Sequence, residues 1–215
     1  MTDFLEIVND VLIELREEEV SSVTDEDYSK LVGRFVNRAL RQVANAHDWS
    51  DTLTEFTIQT TDDNPYYPLT GAGKYVKIYY VVNLDTQHEP KRTTRRWAKL
   101  QIARDIANNT TPSYWFNSGT DGTDAQIGFY PPPDGQHNFF VEAFVKPAEL
   151  VEDTDEVVLP KQPIVDLALA FAARERGEVG GTTAAEYFEL AKRSLSDEID
   201  IDRARNDEET DWYVD

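Results

Sequence analysis

Hydrophobic residues recur along this chain in two rhythms, and the switch between them separates helical ends from a strand-rich middle. In residues 1–50, Phe4, Val8, Val11, Leu12 and Leu15 share one face at helical spacing. Thr2 or Asp3 stands where an N-cap belongs. Glu17-Glu18-Glu19 would crowd negative charge onto the C-terminal end of the dipole, so the helix is expected to stop near there. Thr24-Asp25-Glu26-Asp27 is a second start signal. From it Tyr28, Leu31, Val32, Phe35, Ala39, Val43 and Ala46 form a stripe that ends near His47-Asp48-Trp49. Residues 1–50 therefore predict two antiparallel helices joined by a short link.

Between 51 and 160 the period falls to two. Thr54–Thr60, Tyr75–Leu84, Ala125–Tyr130 and Asn138–Val145 are strand candidates, rich in Tyr, Phe, Val and Ile. Asp62-Asp63-Asn64-Pro65, Gly71-Ala72-Gly73 and Pro131-Pro132-Pro133-Asp134-Gly135 are the turns between them. One helix interrupts the region at 94–107, with Trp97, Leu100, Ile102 or Ala103, and Ile106 as its expected buried face. Helix returns over 161–205. Ile164 to Arg176 is apolar nearly all round, as befits a helix at the centre of a bundle. After Gly177 and Gly180-Gly181, a last helix capped by Thr182 or Thr183 carries Tyr187, Leu190, Ala191, Leu195 and Ile199. Residues 206–215 lack periodicity and read as a flexible acidic tail. The expected fold class is α+β: a helical bundle from the N- and C-terminal helices with an inserted antiparallel β region.

Charge narrows the function. Among 215 residues, 21 Lys and Arg face 41 Asp and Glu, a net charge of −20. A protein whose main surface grips nucleic acid needs the opposite excess to replace counterions on phosphate. The absence of cysteine removes disulfides, thiolate metal sites and a cysteine nucleophile. The longest apolar run, Leu167–Ala173, is far short of the roughly 20 residues of a membrane span. The opening Met-Thr-Asp-Phe-Leu-Glu has no basic n-region, so no secretory signal is expected.

Catalytic constellations are not apparent. His47, His88 and His137 have neither zinc-site spacing nor an HExxH context. Gly71-Ala72-Gly73-Lys74 lacks the spacing of a phosphate loop and reads as a hairpin turn. Glu152-Asp153-Thr154-Asp155-Glu156 lacks the central glycine and distal glutamate of a calcium loop. No catalytic residue, metal ligand or cofactor is assigned.

Two features stand apart. Lys91, Arg92, Arg95, Arg96, Lys99 and Arg104 fall in one short acid-free stretch. On the 94–107 helix Arg95 and Lys99 share a face, with Arg92 and Arg96 beside it. This patch reads as a solvated face neutralised by the chain's own acids, as a contact with the acidic surface of a second copy, or, third, as a DNA footprint. The other feature is the end of the chain. From Asp197 to Asp215 there are nine acids and two arginines, yet Trp212-Tyr213-Val214 stands just before the last residue. Aromatics on a disordered acidic segment suit anchoring on a partner, with folding back onto the parent domain as the alternative.

A larger pattern joins these segments. It runs through His47-Asp48-Trp49, Thr111-Pro112-Ser113-Tyr114-Trp115-Phe116 and Ile127-Gly128-Phe129-Tyr130-Pro131-Pro132-Pro133. Val141-Glu142-Ala143-Phe144-Val145-Lys146-Pro147, Leu150, Leu159-Pro160 and Glu186-Tyr187-Phe188 continue it. The order resembles the head-to-tail adaptor (connector) proteins of tailed bacteriophages, especially short-tailed ones, over nearly the whole chain. The resemblance implies a non-enzymatic virion protein at the head–tail junction, made in the host cytoplasm. It implies a ring of about twelve copies, formed once on the portal protein and beneath it, in contact with tail or nozzle proteins, with DNA passing through the lumen without sequence-specific binding. The tail, from Arg205 through Asp211, Trp212, Tyr213 and Val214, would then dock on portal. Arg92, Arg95, Arg96 and Lys99 would lie between subunits on charge grounds alone. The competing class is an acidic binding module that mimics DNA and occupies the basic groove of a nucleic-acid enzyme.

Overall fold

A computed structural model describes residues 2–104, 109–177 and 183–205. The chain opens with β1 (Thr2–Asp3), α1 (Phe4–Glu14) and α2 (Asp27–Ala46). Four strands follow: β2 (Leu53–Gln59), β3 (Tyr66–Pro68), β4 (Val76–Asn83) and β5 (Lys91–Arg92). Next come α3 (Arg95–Ala103), β6 (Tyr114–Thr120), β7 (Ala125–Tyr130), β8 (Asn138–Val145) and β9 (Glu156–Val157). The chain returns to helix with α4 (Lys161–Glu175) and α5 (Thr183–Arg205). The fold is α+β, and it divides into two compact units: Met1–Thr52 with Pro147–Asp215, and Leu53–Lys146.

In the helical unit α4 is central, and every residue from Pro163 to Ala173 is buried. It packs against α1, α2 and α5. Phe171 links two of these contacts, with ring centroids 6.3 Å from Phe35 on α2 and 5.7 Å from Phe188 on α5. α1 buries Phe4, Ile7, Val8, Val11 and Leu12. Its first turn is held from two sides. Asp3 Oδ1 accepts from the Glu6 amide at 2.8 Å, and the carbonyls of Asp155 and Asp153 accept from the amides of Phe4 and Leu5. These are N–H groups that a helix start otherwise leaves without partners. β1 pairs antiparallel with β9 beside this junction.

The stripe expected on α2 is rotated. Ser29, Val32, Gly33, Val36, Ala39, Leu40 and Val43 are buried, whereas Tyr28, Leu31 and Phe35 are half-buried and Ala46 is exposed. The reason is that α2 has neighbours on two sides, α1 and α4, so its apolar arc is wider than one stripe. Gly33 is where the first side closes in. A Cβ there would sit 2.8 Å from Val23 Cγ1 and 3.1 Å from Phe4 Cζ.

The β unit is layered. β2, β8 and β4 form one antiparallel sheet with β8 in the middle. β3, β7, β6 and β5 form a second. Ile58, Ile78, Val81, Phe139, Val141 and Ala143 of the first sheet meet Tyr67, Trp115, Ile127 and Phe129 of the second. Phe129 and Phe139 stack across that layer with centroids 4.3 Å apart. The opposite face of the second sheet carries Phe116 and Tyr130, and Ala98 of α3 buries against them. In that register Phe116 lies opposite Gly128, where a Cβ would come within 2.3 Å of its ring.

The expected strands of the β unit are present, but α3 and the sheet register differ in two respects. The inserted region is antiparallel except at β5, which pairs parallel with β6. α3 ends at Ala103, capped by Arg104, and its buried residue is Ala98, with Ile102 partly buried beside it. Trp97 and Leu100, expected inside, are 38% and 45% exposed. A helix laid over Phe and Tyr rings approaches closely only through a small side chain, so the alanine takes the contact. Ile106 lies outside the described residues.

Candidate interaction surfaces

Charge is divided unequally between the units. The helical unit holds 12 basic and 31 acidic residues, a net of −19. The β unit holds 9 basic and 10 acidic residues, a net of −1. Six of those nine cations, Lys91, Arg92, Arg95, Arg96, Lys99 and Arg104, lie on β5, on α3 or at the C-cap of α3.

The structure fixes the geometry of this patch. Thr94 caps α3 by accepting from the Trp97 amide at 3.3 Å, so Arg95 and Arg96 occupy the first two helical positions. That first turn contains no acid. Cations there oppose the helix dipole, at a cost of about 0.3–1 kcal/mol each when exposed. The Arg95 guanidinium lies over Gly119 of β6, where a Cβ would stand 3.1 Å from Nη1. Lys99 Nζ lies 5.6 Å from the centre of the Tyr66 ring. Arg92 is not a helix residue. It stands on β5 in register with Trp115, its guanidinium carbon 5.4 Å from that ring, on the inner side of the sheet edge. The structure therefore gathers Arg95, Arg96 and Lys99 on α3 and sets Arg92 at the neighbouring strand edge. Trp97 flanks the helix cations, 5.4 Å from Tyr114 and 5.2 Å from Tyr130 by ring centroid.

Of the tail residues singled out in the sequence, Arg205 is the exposed last residue of α5. Asp211, Trp212, Tyr213 and Val214 lie outside the described residues. What holds the root of that segment is a constellation the sequence did not reveal. Asp202 of α5 is buried. Its Oδ1 accepts from Ser50 Oγ at 2.5 Å, and its Oδ2 lies 3.0 Å from His47 Nε2 and accepts from the Ser50 amide at 3.3 Å. Trp49, edge-on to His47, donates to the Val43 carbonyl at 2.8 Å. Asp202 lies 155 and 152 positions from His47 and Ser50, so no local spacing could flag the set. Ser50 and His47 both bind the carboxylate and not each other, which is a clamp and not a serine–histidine relay.

The remaining acidic and histidine features are also structural. Asp155 accepts from the amides of Val151 and Glu152, and these bonds lower its pKa. Asp153 accepts from the Val23 amide at 3.0 Å. The 152–156 loop thus spends the Asp153 and Asp155 carbonyls on the start of α1, the Asp153 carboxylate on the link before α2 and the Asp155 carboxylate on its own turn. The Gly73 amide donates to Asp124, an acid standing where a phosphate loop would place its ligand. His137 pairs with Asp134 at 2.7 Å. Glu14 is shifted up in pKa, first by burial and then by the neighbouring Asp166 and Asp10. Among the described residues no cluster of His, Asp or Glu suits a metal ion, and no helix is long and apolar enough to cross a membrane.

The model of the SU10 adaptor protein family matches residues 2–212. No curated protein matches the chain.

Proposed function

Because the chain belongs to the SU10 adaptor protein family, whose members are structural phage adaptors and not enzymes, we propose that it forms a ring joining the portal protein to the tail. The observation that carries this reading is the length of the match, which spans both the helical unit and the β unit. The ring has about twelve copies by analogy with the adaptors that the sequence resembles, and heterologous contacts that close on themselves give such a ring. Its place is the head–tail junction of the virion, and DNA traverses its lumen. A chain of net −20 suits that passage, since like charge keeps a moving polyanion from sticking. Residues 206–215, with Trp212 and Tyr213 as anchors, order against portal, and Arg205 leads into them from α5.

Affinity capture tests the reading. Tagged full-length chain and a variant ending at Arg205 are each expressed with portal and tail proteins. The expected result is a portal ring recovered with the full chain and lost with the truncated one. Recovery of a basic nucleic-acid enzyme in place of portal would turn the answer to the DNA-mimic class. Capture of portal by both forms would keep the adaptor reading and remove the role of the tail.

A further inference from the structure

α3 carries cations that do not serve its own stability and that, among the described residues, meet no acid. Arg95 and Arg96 sit at the positive end of the helix dipole. Among the described residues no carboxylate lies at ion-pair distance from Arg95, Arg96 or Lys99, in a chain with 41 acids. Two of the three are held in place without being neutralised, Arg95 over Gly119 and Lys99 over Tyr66. Beside them on the helix Trp97 and Leu100 remain partly open to solvent. Arginine beside an indole is the composition found at the centre of protein–protein contacts.

We propose that this face of α3 docks on the acidic helical unit of a second copy, head to tail. The proposal deepens the ring reading and rests on it. Charge complementarity selects the occupant, since the helical unit carries −19 and the β unit that presents α3 only −1. Two α3 faces meeting each other would set arginine against arginine, so a donor face meets an acceptor face of the other copy, and repeated head to tail this contact extends into the ring. The same cations and rings would suit a single-stranded nucleic acid. A body of net −20 repels such a polyanion as it approaches, which favours the protein partner.

Sedimentation of the full-length chain tests this without portal. Wild type is expected to self-associate with concentration, at least about tenfold more weakly when salt rises from about 50 to 500 mM. Arg96→Glu with Lys99→Glu is expected to weaken association at least about tenfold further, with unchanged circular dichroism, and Arg96→Gln with Lys99→Gln to fall between. The reversed variant keeps its acidic acceptor face, so at equal mixing it shortens wild-type assemblies. The proposal is overturned by a wild type that stays monomeric at low salt, by variants that associate as wild type does, or by a reversed variant that leaves wild-type assemblies unaltered. It is also overturned if a labelled single-stranded oligonucleotide binds wild type, not the variant, while self-association is the same in both. A monomeric chain that still captures portal sinks this contact alone. Association through α3 without portal capture sinks the adaptor reading instead.

Discussion

The helical and β units solve stability with opposite materials. The helical unit buries eleven consecutive residues of α4 yet carries 31 acids, and it spends several of them as clasps: Asp3 on α1, Asp153 and Asp155 on the neighbouring loop, Asp202 on His47 and Ser50. The β unit is nearly neutral and relies on aromatic layers, with Phe129 on Phe139 inside and Phe116, Tyr130 and Trp97 outside. The lesson is that net charge, taken over the whole chain, conceals its own pattern. A sequence of −20 contains one half that carries nearly all of it and another half that presents a cationic helix.

That contrast can be broken first at an aromatic layer. Phe129→Ala removes the ring stacked on Phe139 and should cost about 3–5 kcal/mol, the range for a buried Phe. Hydrogen exchange should lose protection in β2, β4 and β8 while α1, α2 and α4 keep theirs. Equal loss in the helices would mean that the two units stand or fall together. The acid clasp breaks next. Asp202→Ala leaves His47 and Ser50 without their carboxylate and should cost about 1.5–3 kcal/mol, with exchange rising at the ends of α2 and α5 and not in the sheets. A thermal melt identical to wild type would show that the clasp contributes nothing.

The smallest effect sharpens the picture of excess acid. Glu14 has a folded pKa above its unfolded one, so its charged form destabilises the fold at neutral pH, and the penalty fades as pH falls through the raised pKa. Glu14 is exposed, so solvent screens its charge and Glu14→Gln should raise stability at pH 7 only slightly, by less than about 0.3 kcal/mol. The gain should vanish in acid, where wild type is protonated too. A variant less stable than wild type at pH 7 would show that Glu14 is a partner and not a burden.

Much of the fold was legible because period and caps act locally. The Asp3 cap, the break before Glu17, the all-round apolar α4 and the alternation in β8 each need only a few neighbouring residues to be read. What escaped depended on residues distant in sequence. β6 was missed because its Asn117-Ser118-Gly119 end reads as a turn, although Gly119 serves there as the seat of Arg95. The buried side of α3 was misjudged because hydrophobicity favours Trp97 and Leu100, whereas close approach to Phe116 and Tyr130 favours Ala98. The Asp202 clasp joins opposite ends of the chain and has no local signature. The cationic cluster was plain in the sequence. That Arg92 stands on a strand edge apart from the helix cations was not, since a two-residue parallel strand leaves no periodic trace.

Cryo-electron microscopy of intact particles tests the central claim most directly. The account predicts this chain as a ring at the head–tail junction, with α3 of each copy against the helical unit of the next and residues 206–215 against portal. A chain located elsewhere in the particle, or a ring whose α3 faces the DNA in the lumen, would contradict it.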